Sequence, residues 1–239
     1  MNRGQSLGGG ARGFIPLKGK NSFTLAEVLI TLGIIGVVAA MTMPTLIKKH
    51  QQRVLVTRLQ KNYSIVSQAL ITSISENGSF NEWDLGTDYN KANLKRVVDK
   101  YFVPYFKKLK MYETSGYSCY ETYGFYLADG TLVIFSLDGS SNAGNPPEAI
   151  HLQFEFRNKL LAKDYSRSNF EFRIDDGRLR FFEWGKRGDV WTSVHATTRE
   201  ELINHTKYGC NANIPKDQRL NCGALIQWDG WQIKDDYPW

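Results

Sequence analysis

Acidic residues are missing from the first 22 positions, cysteine occurs only three times in 239 residues, and none of the four histidines sits in a catalytic or metal-binding spacing. Each shortage excludes something. The three cysteines, Cys119, Cys210 and Cys222, are too few and too far apart for a zinc site, which needs paired C-x2-4-C ligands. Cys210 and Cys222 flank a segment rich in Gly, Asn and Pro, and a disulfide between them is the expected use. It would close a short loop, contribute roughly 3 kcal/mol on the chain-entropy model, and require an oxidising compartment. His50, His151, His195 and His205 are scattered, with no H-x-x-x-H, H-E-x-x-H or G-x-S-x-G pattern, so no enzyme and no catalytic residue is expected. Residues 137–145 (LDGSSNAGN) have turn chemistry but no EF-hand spacing, and read as a plain loop; no metal and no cofactor is expected. Internal repeats and low-complexity linkers are absent as well.

The net charge of +6 does not make this a basic protein. Of the 30 Lys and Arg, four (Arg3, Arg12, Lys18, Lys20) precede Phe23, where none of the 24 acidic residues lies, leaving 26 against 24. The chain beyond the leader is close to neutral, and nucleic acid is not expected as a partner.

What the chain does have is one long apolar run. Val28 to Ile47 (VLITLGIIGVVAAMTMPTLI) is 20 residues without a charge, about the length that crosses the roughly 30 Å of bilayer hydrocarbon as a helix. A core helix is rarely apolar on every face for so long. A secretory signal has a shorter apolar stretch and a small-x-small cleavage site, neither of which fits. Lys48, Lys49 and Arg53 follow the span as closely as Lys18 and Lys20 precede it, so charge alone does not orient it. Beyond it a helical period continues: Leu55, Leu59, Val66, Leu70 and Ile74 make one apolar stripe, and Asn77-Gly78 supplies the stop. Pro44 should loosen this helix locally.

From about residue 80 the pattern changes to that of a compact head. Residues 91–103 have a short helical period ended by Pro104. Residues 124–137 and 169–184 each place an Asp-Gly pair, at 129–130 and 176–177, between β-branched and aromatic runs, a strong hairpin signal. With residues 149–156 they predict an antiparallel sheet of four or five strands, one face of it on the helix. The aromatic C-terminal stretch, with another Asp-Gly at 229–230, reads as a final strand.

The entry to the apolar run holds Lys18, Gly19, Lys20, Ser22 and then FTLAEVLITLGIIGVVAAMTMP, with Glu27 the only charge in the segment. This arrangement, about 25 residues in order and spacing, resembles the class III signal of type IV prepilins and type II secretion pseudopilins. The resemblance implies cleavage by prepilin peptidase between Ser22 and Phe23, N-methylation of Phe23, and pairing of Glu27 with the N-terminal amine of a neighbouring subunit during assembly. It also departs from the family in one place, with Ser22 where Gly normally precedes the cut. Independently of the resemblance, a carboxylate inside an apolar span costs a few kcal/mol to insert and marks a site. Gly33 and Gly36, with Ala39 and Ala40, leave room for close helix packing.

The expected protein is α+β and pilin-like. Its parts are a leader over residues 1–22 that is cleaved off, a transmembrane half-helix over 23–47, an amphipathic half-helix over 48–78, and a head over 79–239. It would be a structural subunit of a type II secretion pseudopilus or type IV pilus, anchored once in the bacterial inner membrane with its head in the periplasm or outside the cell. Prepilin peptidase, other pilin or pseudopilin subunits and inner-membrane lipid are its expected partners. The other function expected of such a chain is that of a minor pilin binding DNA for uptake or a surface for adhesion.

Overall fold

The computed structural model describes residues 23–107, 110–113, 121–139, 145–156, 163–187, 190–192 and 195–239. The leader, Ser22 and Cys119 lie outside them. Two units are distinguished, one ending at Lys48 and the other spanning Lys49–Trp239. The first helix, α1 (Leu25–Asn77), runs through both and continues across Pro44, although that residue has no amide to offer the Ala40 carbonyl. In the second unit, Leu55, Leu59, Val66 and Leu70 are buried and Ile74 packs at the edge of the core, so the apolar stripe is the core-facing stripe. Gly78, at φ +85°, ends the helix in the left-handed conformation that a side chain would strain.

Helix α2 (Lys91–Tyr101) starts at Asn90, whose Oδ1 accepts the Asn93 N–H at 2.9 Å. It buries Leu94, Val97, Val98 and Tyr101 and gives way to a single 3-10 turn containing Pro104.

The sheet has six strands: β1 (Lys110–Glu113), β2 (Tyr123–Tyr126), β3 (Leu132–Asp138), β4 (Ala149–Glu155), β5 (Asn169–Ile174) and β6 (Leu179–Phe181). Each pairs antiparallel with the next, in chain order. Both Asp-Gly pairs fall where the hairpins turn, with Gly130 at φ +80° and Gly177 at φ +78°. Along β4 and β5 the side chains alternate. Ile150, Leu152, Phe154, Phe170, Phe172 and Ile174 are buried in the core that also holds the apolar stripe of α1, and His151, Gln153, Glu171 and Arg173 face the other way. A small hairpin, β7 (Gly185–Arg187) with β8 (Val190–Thr192), makes a second sheet. The strand count therefore exceeds the expected four or five, by β1 and this hairpin.

Polar contacts fasten the sheet to α1 at two places. Arg58 donates to Asp129 Oδ2 and Asn62 donates to both Asp129 and Thr131, tying down the β2–β3 turn. Burial pushes the Asp129 carboxyl up, but these bonds and the Thr131 N–H outweigh it and hold the group below the usual carboxylate range. At the other end, the Tyr63 hydroxyl donates to the Leu179 carbonyl at 2.7 Å while its ring stacks on Phe181.

The C-terminal stretch is not the strand expected from its sequence. It forms α4 (Cys222–Trp228), and the Asp229-Gly230 pair caps that helix: the Gly230 N–H bonds Gln227 and the Trp231 N–H bonds Ile226. The apolar residues there, Cys222, Leu225 and Ile226, are spaced three and four apart, which is a helix face and not an alternating one. Gly223 allows the close approach of α4 to the sheet, since a Cβ at this position would lie 2.5 Å from the Phe181 ring. Cys210, in the segment after α3 (Arg199–Asn204), is bonded to Cys222 with Cα atoms 4.8 Å apart, as the sequence implied. Arg199 grips both Asp229 and Asp236, and the buried Tyr237 hydroxyl donates to the Ser166 carbonyl, so the last ten residues are pinned to the head.

Candidate functional site

The segment that the resemblance singles out begins at the first described residue. Phe23 is 84% exposed, and α1 starts two residues later. Thr24 is its N-cap and Glu27 stands at the third helical position, the S/T-x-x-E spacing of a capping box. The bonds are reciprocal. The Thr24 N–H and hydroxyl both donate to Glu27 Oε2 at 2.8 Å, and the Glu27 N–H donates to Thr24 Oγ1 at 3.2 Å. The carboxylate is therefore anchored to the helix start within its own chain, and it also favours the positive end of the helix dipole. Both donated bonds fall on Oε2; among the described residues no donor reaches Oε1. Read as a lone charge in an apolar run, Glu27 gives no hint of Thr24; the T-L-A-E spacing is the signal that announces the pair.

Downstream, the segment meets the demands of a hydrocarbon environment. Besides Thr24, its hydroxyls belong to Thr31, Thr42 and Thr45, and each donates to a backbone carbonyl of the same helix, on Val28, Val38 and Thr42, at 2.7–2.9 Å. No hydroxyl among these is left to be desolvated without a partner. The large apolar side chains Leu29, Ile30, Leu32, Ile34, Ile35 and Val37 are exposed, which in water would be a liability and in lipid is the solvated state. Among the described residues α1 is the one helix long and apolar enough to cross a membrane. Gly33 and Gly36 have nothing within 4 Å of where a Cβ would stand, so that patch of helix surface is open to a neighbouring backbone.

Of the residues singled out in the sequence, Glu27, Gly33, Gly36 and Pro44 lie on α1, Phe23 lies two residues before it, and Cys210 and Cys222 form a separate element of the head. Residues 17–43 match the prokaryotic N-terminal methylation motif. A helix of this build behind that motif makes the chain a type IV pilin-like protein, of the kind processed by prepilin peptidase and assembled with other pilins. Residues 45–239 match a family of unknown function (DUF6613), and the chain belongs to that family. No curated protein and no solved structure matches it.

Proposed function

We propose that the chain is a structural subunit of a type II secretion pseudopilus or type IV pilus, and not an enzyme. It is cut before Phe23, methylated on the new N-terminus, and built into a filament through α1, with the head on the periplasmic or extracellular side. The observation that carries this reading is the state of Glu27. One oxygen is held by Thr24 and the other has no donor from the described residues, so the carboxylate is preset in direction and incompletely satisfied. In an apolar surrounding that condition favours a cation brought by another molecule, and the amine of a neighbour's Phe23 is the cation that parallel stacking of such helices would bring close. The exposed Gly33–Gly36 patch supports the same packing.

The Cys210–Cys222 bridge fits an oxidising compartment for the head. Against an enzyme stands the use already made of the histidines of the head. His151 pairs with Glu171 at 3.3 Å, His195 lies between Arg180 and Glu183, and the buried His205 accepts the Lys207 and Tyr208 amides through Nδ1. The test is co-expression of the full chain with a prepilin peptidase and the assembly machinery of a pilin system, followed by mechanical shearing of the cells. The processed chain is expected in the pelletable filament fraction; recovery only as a dispersed membrane protein would count against the proposal.

A further inference from the structure

The face of the six-stranded sheet turned away from α1 is not a plain solvated surface. Antiparallel register lines up Ser136, His151 and Arg173 in one lateral row and Ile134, Gln153 and Glu171 in the next. Thr122, the residue before β2, extends the first row. Gly124 stands opposite Ile134 and extends the second without a side chain, because a Cβ there would lie 2.0 Å from the Val133 carbonyl oxygen. The result is a cleft of about 290 Å³, floored by Thr122, Ser136, His151, Ile134, Gln153 and Glu171 of these rows and walled by Lys163 and Phe182. That volume lies at the lower end of small-molecule sites, which start at roughly 300 Å³, and admits one small ring.

Two features say what such a ring must be. Thr122 is only 7% exposed, yet its hydroxyl has no hydrogen-bond partner among the described residues. A buried hydroxyl left unpaired costs about 1–3 kcal/mol, so the site is short of a donor or acceptor that an occupant would supply. Charge, in contrast, is already matched. Arg173 pairs with Asp138 at 3.0 Å, Glu171 accepts from the Tyr165 hydroxyl and lies 3.3 Å from His151, and the Lys163 ammonium sits over the Tyr165 ring. An anion entering would meet the Asp138 and Glu171 carboxylates, and a cation would meet the Lys163 ammonium. The occupant that fits is a neutral molecule with several hydroxyls and one apolar face. The half-buried Ser136 and Gln153 offer further polar contacts, and Phe182, set edge-on against His151, offers an aromatic surface.

We propose that this cleft on the outer face of the sheet binds a single neutral pyranose sugar, with Thr122, Ser136 and Gln153 engaging its hydroxyls and Phe182 its C–H face. The site would let a filament subunit hold a glycan or a sugar-bearing surface. It uses none of the residues assigned to processing or assembly, so loss of sugar binding and loss of filament formation are separately observable.

The experiment is a titration of the full chain, kept in a detergent without a sugar headgroup and monitored by saturation-transfer NMR. Glucose, galactose and N-acetylglucosamine are the probes, and glucuronate and inorganic phosphate the charged controls. At least one neutral sugar should bind saturably and neither control should compete with it. Thr122→Val and Gln153→Leu should each weaken that binding tenfold or more. The valine variant should melt no lower than the parent, because it replaces an unpaired buried hydroxyl with a methyl group of the same size. Absence of saturable binding by all three sugars, preference for a charged control, or unchanged sugar binding in both variants would overturn the proposal. A lower melting temperature for Thr122→Val would do so too, by giving the hydroxyl a structural use.

Discussion

Changing Glu27 to Gln is expected to abolish filament formation while leaving membrane insertion and the start of α1 intact. The geometry at Thr24 makes this substitution more informative than truncation. A glutamine carbonyl at the third helical position still accepts the Thr24 N–H and hydroxyl, so the capping box survives and only the charge is lost. Insertion should be undisturbed or slightly favoured, since a carboxylate in an apolar span is unfavourable to begin with. The loss expected from the proposed pairing is a charge-assisted bond to the neighbour's amine, worth about 1.5–3 kcal/mol, which is roughly a 10- to 150-fold effect at every subunit addition. Glu27→Ala removes the cap as well and should assemble no better. If the glutamine variant formed filaments at parental abundance while the alanine variant did not, Glu27 would be a helix cap and nothing more, and its part in assembly would have to be given up.

The second large effect is expected in the head. Replacing both Cys210 and Cys222 with Ala should lower the stability of the head by roughly 3 kcal/mol, for a bridge closing a 12-residue separation. For a unit of this size that corresponds to a fall of about 6–12 °C in melting temperature. Both sulfurs belong to fully buried residues, and Cys222 is the first residue of α4. The loop that the bridge closes keeps the bonds from Arg219 to the Ile214, Ala212 and Pro238 carbonyls, so the loss is that of the bridge alone. Thermal unfolding of the full chain in detergent, monitored by near-ultraviolet circular dichroism, measures the loss. Treating the parent with reductant should reproduce it. An unchanged midpoint in both experiments would show the bridge to be dispensable and would remove the support it lends to an oxidising compartment.

How much of the structure was legible in the sequence depended on whether the signal was local. The hairpin turns at Asp129-Gly130 and Asp176-Gly177 are, because alternating strands on either side leave the dipeptide one use. The same dipeptide at Asp229-Gly230 ends a helix, and only the three-and-four spacing of Cys222, Leu225 and Ile226 distinguishes the cases. Strands β1, β7 and β8 have three or four residues each, too few for a period; their pairing partners and not their composition make them strands. Of the candidate site, Glu27 stands out as a charge in an apolar run, whereas its bond to Thr24 is legible only when the capping spacing is considered beside the charge. The outer-face cleft could not be found from sequence at all. Thr122, Ser136, His151 and Glu171 come from different strands and loops, and the register that gathers them is set by burial of the opposite, apolar face.

That the chain is a pilin-like precursor is tested most directly by intact-mass and N-terminal analysis of the full chain co-expressed with a prepilin peptidase. The product should be shorter by the 22 residues that precede Phe23 and begin with an N-methylated phenylalanine. A chain that keeps its leader, or is cut anywhere other than between Ser22 and Phe23, would contradict it.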